Sequence, residues 1–141
     1  MDFMIQVIYS KIEPTRVLHG IVRKSDLSAK RVDLVDPDEF LQCAALRLDR
    51  GETFKAHQHR WQTKQSHNYI AQESWVVISG NVKVFYYDTD GALLHEDVIT
   101  PGDASFTWEG GHNYECMTDG TFVYEFKTGP YLGQEMDKIF L

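Results

Sequence analysis

The sequence predicts an all-β protein, a sandwich or barrel of short antiparallel strands, and three observations carry that prediction. Residues 41–48, 75–78, 82–87, 93–99, 112–117 and 122–126 are strand-length segments rich in β-branched and aromatic side chains. Turn signals separate them at intervals of roughly 8 to 12 residues, the rhythm of a sandwich or barrel rather than of a parallel α/β sheet. No helical period runs beyond a turn or two; Asp36-Pro37-Asp38-Glu39-Phe40 offers at most the start of a short helical turn.

In chain order, an apolar run from Phe3 to Tyr9 is interrupted by Gln6. Residues 17–22 and 31–35 are further candidate strands, placed either at a sheet edge or against a second subunit. The strand at 41–48 ends at Arg50-Gly51, and Ser79-Gly80-Asn81 divides 75–78 from 82–87. Asp90-Gly91 and Asp119-Gly120 are expected to be hairpin turns, because glycine accepts the positive φ such turns require. Pro101-Gly102-Asp103 and Gly110-Gly111 complete the punctuation. Gly129-Pro130 closes the last strand, and residues 128–141 add apolar groups, among them Tyr131, Met136, Ile139, Phe140 and Leu141, able to cover the barrel or a partner subunit. There is no internal repeat, low-complexity segment or linker, so residues 1–141 read as one domain.

Composition narrows the function classes. A hydrophobic fraction of 43% suffices for one core, and the 25% charged residues are mixed in sign along the chain. A formal net charge of −7 repels phosphate backbones and argues against nucleic acid as a partner. No stretch approaches the roughly 20 apolar residues that span a bilayer, which argues against a membrane partner. No basic n-region or small-residue cleavage site marks a signal peptide. Two cysteines, Cys43 and Cys116, make no disulfide framework, so a reduced, cytoplasmic protein is the expectation.

The chemistry concentrates in histidine and glutamate. His57 and His59 are two residues apart, which in a strand puts both imidazoles on one face. Glu73 opens one apolar strand and His112 opens another after the Gly110-Gly111 pair. Three imidazoles and one carboxylate make a donor set that suits iron(II), manganese, nickel or zinc.

These residues resemble the two motifs of the cupin superfamily. The first reads Gly, five residues, His-x-His, a short gap, Glu, six residues, Gly, and is met by Gly51, His57, His59, Glu73 and Gly80. The second reads Gly, five residues, Pro-x-Gly, two residues, His, three residues, Asn, and is met in part by Gly102, Gly110 and His112. The motif regions, 51–80 and 102–112, lie within less than half of the chain. Three departures stand out. Thirteen residues separate His59 from Glu73, where the family has three or four, so residues 60–70 read as an inserted hairpin or loop at the barrel mouth. Trp108 replaces the motif proline, and Cys116 stands where the motif has asparagine. His112 comes one residue early, a slip that in a strand changes the face presented unless a tight Gly110-Gly111 turn absorbs it.

The resemblance implies a jelly-roll barrel, the double-stranded β-helix, holding one divalent transition metal ion on His57, His59, Glu73 and His112. It also implies a small-molecule ligand and a homodimer formed through sheet edges. The tail Glu125 to Gly133 is similar to small cupins of sugar and polysaccharide biosynthesis, which favours a sugar or sugar-nucleotide isomerase or epimerase. The alternatives are a cupin dioxygenase, a non-catalytic metal- or ligand-binding cupin, and a metal-free isomerase with His57 or His59 as general base.

Other residues carry weaker expectations. Tyr114 shares strand parity with His112 and is a candidate proton donor or substrate contact, with barrel filling as the plainer reading. His67, in the insertion, is a reserve ligand or proton shuttle, with a solvated loop residue as its alternative. Trp61, Tyr69, Trp75 and Trp108 supply aromatics near the expected mouth, and Trp75 shares parity with Glu73 as an interior wall. His19 and His95 read as surface residues, and Glu109 as a surface turn residue, with a general base as its alternative.

Overall fold

In the computed structural model the described residues are 5–22, 24–64, 67–130 and 132–141, with the backbone alone described at 63–64 and 67–69. Strands β1 (Ile5–Tyr9) and β2 (Val17–Val22) form a separate two-stranded antiparallel sheet, followed by a short 3-10 turn at Lys24–Asp26. The chain then runs through β3 (Arg31–Asp33), β4 (Leu41–Leu48), β5 (His57–His59), β6 (Trp61–Lys64), β7 (His67–Ile70), β8 (Glu73–Ser79), β9 (Val82–Tyr87) and β10 (Leu93–Ile99). It continues with β11 (Ala104–Thr107), β12 (Gly111–Cys116), β13 (Thr121–Thr128), helix α1 (Gln134–Asp137) and β14 (Lys138–Phe140). One five-stranded sheet has the order β10-β9-β12-β5-β14 and the other β11-β8-β13-β4-β3, with antiparallel pairing throughout.

The two sheets face each other across a shared core. Leu46, Leu48, Trp75, Val77 and Val123 from one sheet meet Val82, Val84, Tyr114 and Cys116 from the other. Alternation dictates this: inward residues of a strand share its parity, and each large side chain fully buried contributes roughly 1.5–3 kcal/mol. Strand β4 is apolar on both faces because its outer face is buried too. Ala45 and Phe122 pack there against Leu27 and Leu34, flanked by Val22, Val32 and Val35. The N-terminal segment thus covers the back of the β4–β13 sheet, and β3 takes that sheet's edge.

Local structure departs from expectation where a turn had to choose its partners. Asp90-Gly91 does close the β9–β10 hairpin, with Gly91 at φ 87°. Asp119-Gly120 is not a hairpin turn. Gly120 has the expected positive φ of 67°, but β12 pairs with β9 and β5 while β13 pairs with β8 and β4, so this turn carries the chain from one sheet to the other. Turn chemistry fixes the backbone locally, whereas burial of apolar faces chooses the partner strands. At Asp36 the chain makes one hydrogen-bonded turn, Glu39 N–H to Asp36 carbonyl at 3.0 Å, with the Asp36 side chain accepting from Asp38 N–H. No helix follows, since β4 begins at Leu41.

The 60–70 insertion is a hairpin of β6 and β7, pairing Trp61 with Ile70 and Lys64 with His67. The C-terminal segment covers the barrel itself: after α1, strand β14 pairs with the histidine strand β5, Lys138 against His59 and Phe140 against His57. No helix among the described residues is long and apolar enough to cross a membrane.

Candidate metal centre

Strand parity delivers His57 and His59 to the interior at 7% and 4% exposure, with Gln58 half-buried between them. Glu73 begins β8, whose inward series continues through Trp75 and Val77. In β12 the buried series is His112, Tyr114, Cys116, so His112 faces inward despite its early position.

The glycine pair explains how. Gly110 has φ 86°, and a Cβ on it would lie 2.5 Å from the Tyr87 carbonyl oxygen. Only glycine allows the chain to turn that tightly against β9 and to enter β12 with His112 opposite His57 and Tyr86. Gly110→Ala is therefore expected to lower unfolding free energy by about 1–3 kcal/mol, measured by chemical denaturation, and to reduce metal content by shifting His112.

The four side chains converge. One ligand atom from each of His57, His59, Glu73 and His112 lies within 4.8 Å of the others. His112 Nε2 is 2.7 Å from Glu73 Oε2 and 3.2 Å from His57 Nε2. The rings stand edge to face, with centroids separated by 5.3 Å for His57–His59, 4.8 Å for His57–His112 and 5.4 Å for His59–His112.

Each ring is oriented from behind through Nδ1. His57 Nδ1 donates to the Lys55 carbonyl at 2.9 Å and His59 Nδ1 to Asp137 Oδ1 at 2.9 Å. His112 Nδ1 lies 2.8 Å from the Thr107 hydroxyl. Occupying Nδ1 fixes the tautomer and presents Nε2 to the centre, the arrangement metal-bound histidines use. His59 Nε2 is buried and has no hydrogen-bond partner. A buried acceptor left unmatched costs roughly 1–3 kcal/mol, and an ion held between these donors would remove that cost. The residues present thus fit a divalent metal.

Electrostatics agree. Burial, aided by Lys138, pushes His57 down to about 4, so its imidazole is neutral and able to ligate at neutral pH. Burial works to raise the Glu73 carboxyl, but His112, His59 and Lys127 outweigh it and hold it well below the usual carboxylate range. For Asp137 burial is likewise outweighed, by the hydrogen bond and charge of His59 and by Lys127, whose Nζ is 3.2 Å from Asp137 Oδ2.

A cavity of about 490 Å³ reaches this cluster along His57 and Glu73 and is walled by Phe54, Trp75, Tyr114 and Phe140. Trp75 stacks on Tyr114 with ring centroids 3.9 Å apart and planes at 7°. The Tyr114 hydroxyl lies 2.9 Å from Ser105 Oγ, and burial and the Glu73 charge push its pKa well up. The His67 side chain lies outside the described residues, as do the side chain of Tyr69, and Gln65 and Tyr131 altogether. Gln62 donates to the Met136 carbonyl, away from the cluster. Trp61 and Trp108 are 59% and 66% exposed, and Trp108 stacks on Phe106 outside this cavity, so neither forms its wall. His19, His95 and Glu109 are exposed. Both cysteines are free, with thiols pushed up to about 11 chiefly by burial.

Asp137, Thr107, Glu125 and Lys138 belong to the site and are absent from the motif reading. Glu125 lines the cavity, accepting from Trp75 Nε1 at 3.0 Å and from Arg31 at 3.3 Å. Burial and then the Glu73 charge push its carboxyl up. Its signal was available: Val123, Glu125 and Lys127 share one parity in β13, so two charged side chains face the interior. Asp137 carries no comparable signal, since it joins His59 from 78 residues away.

No family model matches the chain, and no curated protein is similar to it in sequence. Similar folds are found among solved structures. KdgF from Halomonas sp. superposes with a TM-score of 0.51 at 20% identity, over 70% of this chain and 77% of that one. Oxalate decarboxylase from Bacillus subtilis gives 0.56 at 19% identity over 73% of this chain, and the coconut allergen cocosin 0.51 at 13% over 63%. The chain spans about a quarter of the length of these last two, 24% and 22%. With its two facing antiparallel sheets and these neighbours, the chain has the cupin fold.

Proposed function

We propose that the protein binds one divalent transition metal ion, iron, manganese, nickel or zinc, on His57, His59, Glu73 and His112, and acts as an enzyme on a small polar molecule admitted by the cavity. The observation that carries the reading is the unpartnered, buried Nε2 of His59, set among three rings whose Nδ1 atoms are already engaged. The fold shared with an oxalate decarboxylase supports a small polar ligand.

Redox-neutral chemistry at an enolisable carbonyl, as in an isomerase or epimerase, is the favoured reaction. Bound to these four residues, the ion supplies Lewis-acid polarisation of a carbonyl oxygen. Glu125 supplies a carboxylate in the same cavity, its pKa raised by burial and the Glu73 charge, and is the candidate general acid–base group. Trp75 and Arg31 hold that carboxylate in place, while Phe54 and Phe140 limit water around the ligand. Tyr114 forms the inner wall.

Elemental analysis of protein purified without added metal is expected to find close to one transition metal ion per chain; a metal-free protein that also fails to take up added ions would sink the reading. Solvent deuterium incorporation beside the carbonyl of candidate hydroxy-ketones and aldoses, lost in Glu125→Gln, would support proton transfer. Oxygen consumption instead would indicate a dioxygenase, and binding without turnover a non-catalytic module.

A further inference from the structure

The metal cluster faces a cationic wall that runs against the charge of the whole protein. The chain carries a formal net charge of −7, yet the cavity is lined by four cations, Arg31, Lys55, Lys127 and Lys138. Its three acids are already committed: Asp33 and Glu125 to Arg31, and Glu73 to His112. Lys127 pairs with Asp137. Among the described residues, Lys55 and Lys138 have no carboxylate partner.

Strand pairing places one of these cations beside the ligands. Directly opposed residues of an antiparallel pair project to the same face with Cβ atoms roughly 4.5–5.5 Å apart. Lys138 opposes His59 and Phe140 opposes His57, so the tail strand lays an ammonium and an aromatic ring against the two histidines of β5. The charge of Lys138 is felt at His57. Lys55 Nζ sits over the Phe140 ring, 4.7 Å from its centroid, at the same wall. A divalent ion would add two further positive charges at the inner end. A neutral ligand would leave this field unanswered, whereas an anion would be drawn in and held at both ends.

We propose that the cavity selects a small organic anion, a carboxylate bearing an adjacent hydroxyl or keto oxygen, whose anionic group is held by Lys138 with Lys55 on the same wall. This deepens the function proposed above and rests on it only for the metal-facing end of the ligand. A phosphate-bearing small molecule offers the same charge, so both sources enter the test.

The experiment is isothermal titration of the full chain, metal-loaded and metal-stripped, with malate, pyruvate, inorganic phosphate and the uncharged glycerol. Malate or pyruvate is expected to bind the loaded protein at least tenfold more tightly than glycerol, with affinity falling as salt rises. Lys138→Gln should weaken the carboxylates tenfold or more with metal content unchanged, and Lys138→Arg should retain most of the affinity. Tighter binding of phosphate than of either carboxylate overturns the carboxylate assignment. Glycerol binding as well as malate, no binding of any anion at millimolar concentration, or an unaffected Lys138→Gln overturns the proposal. Lysine-dependent malate binding that is equal with and without metal supports the anion site while removing the ion from ligand binding, and failure to load metal removes the metal reading alone, so the two fail separately.

Discussion

His112→Ala is expected to abolish stoichiometric metal binding, weakening affinity by more than about 100-fold, since even an outer hydrogen-bond partner of a metal ligand is worth 10–100-fold. His112 stands at the meeting point of the cluster, 2.7 Å from Glu73 Oε2 and 3.2 Å from His57 Nε2, and is 1% exposed. Its loss also strands Glu73, a carboxylate at 6% exposure held ionised largely by this neighbour. Removing one partner of a buried pair costs about 3–5 kcal/mol, so the metal-free variant should unfold at distinctly lower denaturant. Glu73→Gln separates the two effects: it removes a metal ligand without leaving a buried charge, so metal binding should fall while stability changes less. Metal analysis and denaturation of both variants read this directly, and a His112→Ala protein that keeps one ion per chain would refute the assignment.

Asp137→Asn is expected to weaken metal affinity by about 10–100-fold without disturbing the sheets. The Asp137 carboxylate accepts from His59 Nδ1 and is itself held by Lys127, so the tail supplies the carboxylate that would orient His59 toward an ion. Neutralising it lowers the electron density on His59 Nε2 and loosens the ring's orientation. Competition with a chelator of known affinity measures the change, and circular dichroism checks that the overall strand content is unchanged. Asp137→Ala should be worse than Asp137→Asn, because it leaves the buried Nδ1–H without an acceptor. Equal affinities in all three proteins would reduce Asp137 to a structural anchor.

The convergence of the four candidate side chains was legible in part because strand periodicity is local. His57 and His59 are two apart and Glu73 leads an alternating strand, so parity puts these three on one inward side. The interior places of Trp75 and Tyr114 follow from the same parity. His112 was the exposed point of that reading, since its face depended on a turn. The tight φ of Gly110 against the Tyr87 carbonyl is the feature that rescues it, and only the packed neighbour reveals it. Asp119-Gly120 shows the opposite case: correct turn chemistry, yet the strands it joins lie in different sheets.

By itself, the sequence determined the all-β class, most strand positions, the presence of an insertion at 60–70 and the four candidate ligands, because each depends on period-two alternation, motif spacing and nearby glycines. Only the tertiary structure decided which strand lies beside β5. That choice brings the tail back to the histidines and supplies Asp137 behind His59, Lys138 beside it and Phe140 against His57. Such contacts join residues about 80 apart, and their pairing is set by burial of whole sheet faces, a global balance that no local spacing encodes.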